Sequence, residues 1–241
     1  MRRRKARGRL RLGIGALVVV LVAAGLLSPA DRSTKPTSRD GFAEPRPLAT
    51  AALTALAALP VKGRAPKTGY SREQFGEGWA SVRGCDVRDR MLARDLVGKT
   101  FEPGGDCAVA SGLLHDPYTA TAIRYERGGA SEVDIDHVVA LSDAWQKGAQ
   151  QWSDGKRRSF ANDPLNLLSV DASANRAKGD GDAATWLPPN KRFRCTYVAR
   201  QVAVKRRYGA WVTRAEHDAI ARVLARCPGQ RLPRSGAKRA W

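Results

Sequence analysis

The segment Asp134-Ile135-Asp136-His137 places two carboxylates and an imidazole within four residues. In an extended chain alternate side chains share a face, so Asp134 and Asp136 are expected together with His137 turned to the other side. A carboxylate in that position can hold a cation while the unligated imidazole takes a proton from water. The ordinary histidine pKa, near 6.5, makes it the natural base at neutral pH. Further along, Asn162-Asp163-Pro164-Leu165-Asn166-Leu167-Leu168 is followed by Asn175-Arg176-Ala177-Lys178-Gly179-Asp180. Carboxylate and amide oxygens favour Mg²⁺ or Mn²⁺ over zinc. An Asp-His pair alone says little, because a histidine beside an acid is more often structural.

The elements that must position these residues alternate in type. Val87, Met91, Leu92 and Leu96 have the three-and-four spacing of an amphipathic helix over 86–97. Strand-like pieces at 108–114 and 119–125 are separated by the turn-forming His115-Asp116-Pro117, and a third, 133–135, runs into His137. Helical patterns follow at 139–150, 192–208 and 214–226. The last carries Thr213 and Glu216 as a capping box and stops before Pro228-Gly229. Ser71 and Gln74 have similar spacing at the expected domain start. No internal repeat is present, and the class is α+β, a helix-rich domain around a small antiparallel sheet.

Charge narrows the choice of partner. The chain has 241 residues and a formal net charge of +19, which predicts a polyanionic partner such as nucleic acid, or an anionic membrane or wall surface. Seven of the cations lie between Arg2 and Arg11, ahead of a 16-residue uncharged run at 12–27 and the small residues Ser28-Pro29-Ala30. That is the pattern of an export signal over residues 1–30, cleaved or retained as an N-terminal anchor. Without those seven, +19 becomes +12, so the working domain is basic too. Residues 31–69 hold five prolines and read as a flexible linker with at most one short helix. The folded domain is expected over 70–230, with a basic tail at 231–241. Cys85, Cys107, Cys195 and Cys227 form no C-x-x-C pair, so two disulfides are expected after export. Of three possible pairings, the nearest in sequence are Cys85 with Cys107 and Cys195 with Cys227.

The order Asp-His, Asn-Leu, Asn-x-x-Lys-Gly resembles the HNH, or ββα-metal, nuclease motif. DIDHVVALSDAW, FANDPLNLL and NRAKGD are most similar to the C-terminal nuclease part of GmrSD-type restriction enzymes and their exported actinobacterial relatives. The resemblance runs from about Cys85 to Cys227. It implies two antiparallel strands and a helix around one divalent metal, with His137 as general base and Asp136 and Asn175 as metal ligands. Asn166 would tie the loop and orient the base. Lys178, one helical turn beyond Asn175, would meet a phosphate or serve in packing. The sequence departs from the commonest pattern in having Asn175 for the third letter and no C-x-x-C pairs for structural zinc. Residues 142–160 must form a helical insertion between the two strands.

The expected activity is therefore metal-dependent hydrolysis of DNA by an exported endonuclease of low sequence specificity, leaving a 5′-phosphate. A ribonuclease would use the same residues, and a non-catalytic binder of extracellular polyanions would share the charge. Residues 183–213 contain seven cations and no acid, and with Trp186, Phe193, Tyr197 and Tyr208 they are expected to track a phosphate backbone. The alternative is a solvated helix face whose aromatics are core. Asp134 ligates or hydrogen-bonds; Asp180 and Asp182 cap a turn or add an outer-shell ligand, the turn being favoured; His115 and His217 are structural. Arg88 and Arg90 are within reach of a phosphate only if the fold brings them to the site.

Overall fold

The computed structural model describes residues 51–130 and 132–233. The expected signal at 1–30 and all but the first three residues of the basic tail lie outside the described residues. In chain order the elements are α1 (Ala52–Ala57), β1 (Ser81–Val82), β2 (Cys85–Asp86), α2 (Val87–Asp95), β3 (Leu96–Phe101), β4 (Val109–His115), β5 (Ala122–Glu126) and β6 (Val133–His137). There follow α3 (Leu141–Trp145), α4 (Asp154–Ala161), β7 (Leu167–Asp171), α5 (Ala172–Lys178), α6 (Arg194–Tyr208) and α7 (Arg214–Leu224). The α+β class holds, with three small antiparallel sheets among the described residues: β1-β2, the meander β3-β4-β5, and β6-β7.

Local chemistry explains most boundaries. Asp86 caps α2 by accepting from Asp89 N at 2.6 Å, and Val87, Met91 and Leu92 bury its apolar stripe. The helix stops at Asp95. Leu96 and Val97, which fit the helical period, instead begin β3, because pairing with Leu114 and Leu113 of β4 gives their backbone ladder partners. Thr213 caps α7 as expected, accepting from Glu216 N. The Ser71 box does not form: residues Arg72–Phe75 make a 3-10 turn with no side-chain cap bond. The expected 139–150 helix is broken into α3 and the turn Ala149–Gln151, with α4 following after Ser153. Gly148 marks the break at φ 127°, where an added Cβ would meet the Trp211 ring at 3.3 Å.

The flexible-linker expectation fails over its second half. Ala52, Ala55, Leu56 and Leu59 are buried in one core with α6 and α7. Six residues make too short a helix to persist alone. Tertiary bonds hold α1 and the strap after it: Ala52 N to Gln230 O, Lys62 N to Val212 O and Ala65 N to Gln146 O. The packed domain therefore includes residues from Ala51 onward. Two disulfides, Cys85–Cys107 and Cys195–Cys227, have the pairing expected from chain proximity.

Candidate active site

The β6-β7 pair carries the chemistry. Asp134 pairs with Val170, Asp136 with Leu168 and His137 with Leu167, and β7 runs directly into α5 through Asp171, whose carboxylate accepts from Ala174 N at 2.7 Å. This brings Asn175 beside the first strand, where its amide nitrogen donates to Asp134 Oδ2 at 3.1 Å. Asp134, Asp136, His137 and Asn175 all line one cleft of about 500 Å³. Strand alternation does not remove His137 from the acids, because β6 ends there and the cleft wraps around its end.

His137 is 7% exposed, and burial pulls its pKa down to about 4, so the ring is neutral at pH 7. Its Nε2 lies 2.8 Å from the carbonyl oxygen of Ala161. A carbonyl can only accept, so Nε2 carries the proton and Nδ1 keeps its lone pair. The Trp79 ring stacks on the imidazole at 5.7 Å between centroids and 12° between planes.

Asp136 is held from two sides. The Tyr118 hydroxyl donates to Oδ2 at 2.5 Å, and Lys178 Nζ donates to Oδ1 at 2.8 Å and to the His137 carbonyl at 2.9 Å. Burial and the adjacent carboxylate push the Tyr118 hydroxyl well above its ordinary pKa, so it remains a donor. Lys178 is itself buried and does not line the cleft. Of the two roles open to it in the sequence, packing is the one its bonds to Asp136 and the His137 carbonyl serve. Asn166, fully buried, accepts from Val139 N at 2.8 Å and donates to Val139 O at 3.2 Å, fixing the backbone just after His137.

The rim is not legible in the sequence. Tyr70, Arg72, Trp79 and Arg88 line the cleft, and of these only Arg88 is a candidate from the sequence; nothing in the spacing of the others sets them apart. Arg90 is exposed and does not line it. Asp180 is on the rim, but Asp182 is buried in an ion cluster elsewhere. His217 pairs with Asp218, and His115 lies at the end of β4.

As to a metal, no group of three or more His, Cys, Asp or Glu that could cage an ion occurs among the described residues. The cleft offers instead the oxygens of Asp134, Asp136 and Asn175. Each Asp136 oxygen has one donor and a second lone pair. Such an all-oxygen, open set fits a hard divalent cation that retains several waters, and not a structural zinc.

Two antiparallel strands feed a helix, with a neutral histidine at the end of the first strand and an amide on the helix beside carboxylates, which is the arrangement expected of an HNH-like fold. The chain belongs to the family described as GmrSD restriction endonucleases, C-terminal domain, which it matches over residues 86–223. It is also 37% identical over 214 residues to a protein of the fungus Arthroderma benhamiae described as an uncharacterized secreted protein, covering 88% of this chain and 98% of that one. No solved structure matches. The fungal relative widens the expected actinobacterial setting, and with the two disulfides it bears out export. Among the described residues no helix is long and apolar enough to cross a membrane.

Proposed function

We propose that the protein is an exported, metal-dependent endonuclease that hydrolyses DNA with little sequence preference. The observation that carries this reading is the neutral His137, anchored through Nε2 and stacked under Trp79, in the cleft lined by Asp134, Asp136 and Asn175. Asp136 and Asn175 would hold the cation, with Asp134 close enough to join them. When bound, that cation supplies stabilisation of charge on the phosphoryl oxygens and the leaving 3′ oxygen. His137 Nδ1 takes the proton of the attacking water, while the Ala161 carbonyl and Asn166 fix the ring and its backbone. Tyr118 and Lys178 hold the Asp136 carboxylate in one orientation. The restriction role of larger relatives is not carried over, since the match is to a single domain.

Purified protein should nick plasmid DNA with Mg²⁺ or Mn²⁺ and stop with EDTA. His137→Ala should still bind DNA and cut at least about 10²-fold more slowly, the lower end of what a general base contributes. Wild-type binding without cutting across a range of divalent metals would leave only a polyanion-binding protein. Parallel assays on RNA decide between the two nucleic acids.

A further inference from the structure

The acid-free stretch at 183–213 does not form a single basic face. Lys205 is fully buried and paired with Asp143 and Glu216; Arg200 is buried with its guanidinium on the Leu165 carbonyl; Arg207 pairs with Asp163. Phe193, Tyr197 and Tyr208 are core. What remains outside is the front of the stretch, and there the fold adds cations from another helix. Lys191, in the turn before α6, and Arg194, its first residue, line a groove of about 640 Å³ together with Arg222 on α7 and Arg226 just beyond it. Its other lining residues are Ala183, Ala184, Leu187, Cys195, Ala219 and Val223, and no acid is among them.

Three features separate this groove from an ordinary solvated helix face. Lys191, Arg222 and Arg226 are exposed and make no ion pair among the described residues, although the chain has acids to spare for buried pairs. The Cys195–Cys227 disulfide ties the start of α6 to the residue after Arg226, so the two cationic rims are fixed before anything binds. The groove and the cleft are also linked by a short stretch of chain: Asp180 lines one and Ala183 the other, and three residues span at most about 11 Å.

We propose that this groove is a second nucleic-acid site that grips the sugar-phosphate backbone of the strand leaving the cleft. The rim cations meet phosphates, and the apolar floor accommodates sugar. This rests on the nuclease reading for its purpose but not for its binding, so the two can fail separately. Such a site makes long polymers better substrates than short ones without reading sequence, because phosphate contacts carry none.

The test is the triple variant Lys191→Gln/Arg222→Gln/Arg226→Gln. A second triple, Lys99→Gln/Arg124→Gln/Lys156→Gln, removes the same charge from exposed positions outside the groove. In the His137→Ala background with EDTA, duplex DNA binding by the groove triple should weaken at least tenfold. Its log-log salt slope should fall by about 3 units, near 0.9 for each phosphate no longer neutralised. The other triple should keep most of the wild-type slope. With His137 restored and metal added, kcat/KM on long DNA should drop tenfold through KM, while hydrolysis of bis(4-nitrophenyl) phosphate, which needs only the cleft, stays within twofold. Equal slopes for the two triples would overturn the proposal, as would loss of binding to anionic vesicles or polyglutamate with DNA binding intact. If wild type never cuts but the groove triple alone loses DNA binding, the groove stands and the nuclease reading falls.

Discussion

Two buried clusters of opposite charge lie a few residues apart in sequence and do different work. In one, Lys147 is surrounded by Asp143, Asp182 and Glu216 at 2.6–2.7 Å, and Lys205 and Arg64 bridge the same acids. Three acids meet three bases, and apart from Arg64 no member is more than slightly exposed. This cluster joins the strap after α1, α3, the loop after α5, α6 and α7. In the other, Asp136 meets Lys178 and Tyr118 but opens onto a cleft beside His137 and the half-exposed Asp134. Burial of charge is common to both, so burial alone does not mark a functional site. The open wall, with a neutral imidazole beside it, does.

The largest break in this comparison should come from removing a charge from the sealed cluster. Lys147→Met leaves three buried carboxylates with only Lys205 and Arg64 to meet them, and losing one partner of a buried ion pair costs about 3–5 kcal/mol. Urea unfolding should show that loss, while plasmid cleavage per folded molecule stays within about twofold. His137→Ala should do the reverse: cleavage per folded molecule falls at least about 10²-fold, whatever stability is lost with its buried, stacked ring. A variant pair that lost both properties together would show that the clusters are one functional unit.

Acid should break the sealed cluster next. Burial alone would raise the Asp182 carboxyl, but Lys147 and Arg64 outweigh it and hold its pKa below the ordinary value. A depressed carboxylate stabilises the fold fully above its unfolded pKa, about 3.9. That contribution is lost as pH falls through the lower native value. Lys205 is shifted the other way, upward: burial opposes its charge, but Asp143 and Glu216 prevail. Its contribution is complete below its unfolded pKa of about 10.4 and lost only at strongly alkaline pH. Unfolding free energy should therefore fall below about pH 4, with no loss from Lys205 between pH 7 and 10, and Asp182→Asn should flatten the acid limb.

A smaller effect belongs to Tyr118→Phe. It deletes one hydrogen bond to a carboxylate, worth about 1.5–3 kcal/mol, without leaving a donor stranded. If Tyr118 orients Asp136, the apparent affinity for Mg²⁺ or Mn²⁺ in cleavage assays should weaken along with stability. Weakened stability alone would return Tyr118 to the core.

What is legible in the sequence follows from what the chemistry requires locally. Asp136, His137, Asn166 and Asn175 sit on one continuous ββα unit, so their order in the chain survives in space, and β6 and α5 lie where the motif places them. Tyr118, Trp79, Arg72 and the Ala161 carbonyl reach the site from other elements, and no periodicity links them to it. Leu96 and Val97 satisfy two periods at once, and tertiary pairing chooses the strand. The strap after α1 reads as a linker because its prolines disfavour regular structure, yet a chain without helix or strand can still pack when its carbonyls and amides find partners, as Pro60 and Lys62 do with Val212. Residues 183–213 mislead in the opposite sense, since counting cations does not reveal which are spent on buried acids.

The smallest predicted effect tests the boundary between the two clusters. Lys178 belongs to the open one, Asp182 to the sealed one, and Asp180 lies between them on the rim, bonded to Ser142 Oγ at 2.9 Å and paired with Lys67 at 3.1 Å. Gly181 permits the turn, since a Cβ there would sit 2.9 Å from the Lys178 carbonyl. Lys67 and Asp180 are each 53% exposed, and a pair so open to solvent contributes under about 1 kcal/mol. Lys67→Ala should accordingly change stability by less than that and leave cleavage unaltered, with any difference vanishing in about 0.5 M salt. If it instead slows cleavage as strongly as Tyr118→Phe, Asp180 is part of the catalytic wall, and the line between open and sealed charge must be drawn one residue further along the chain.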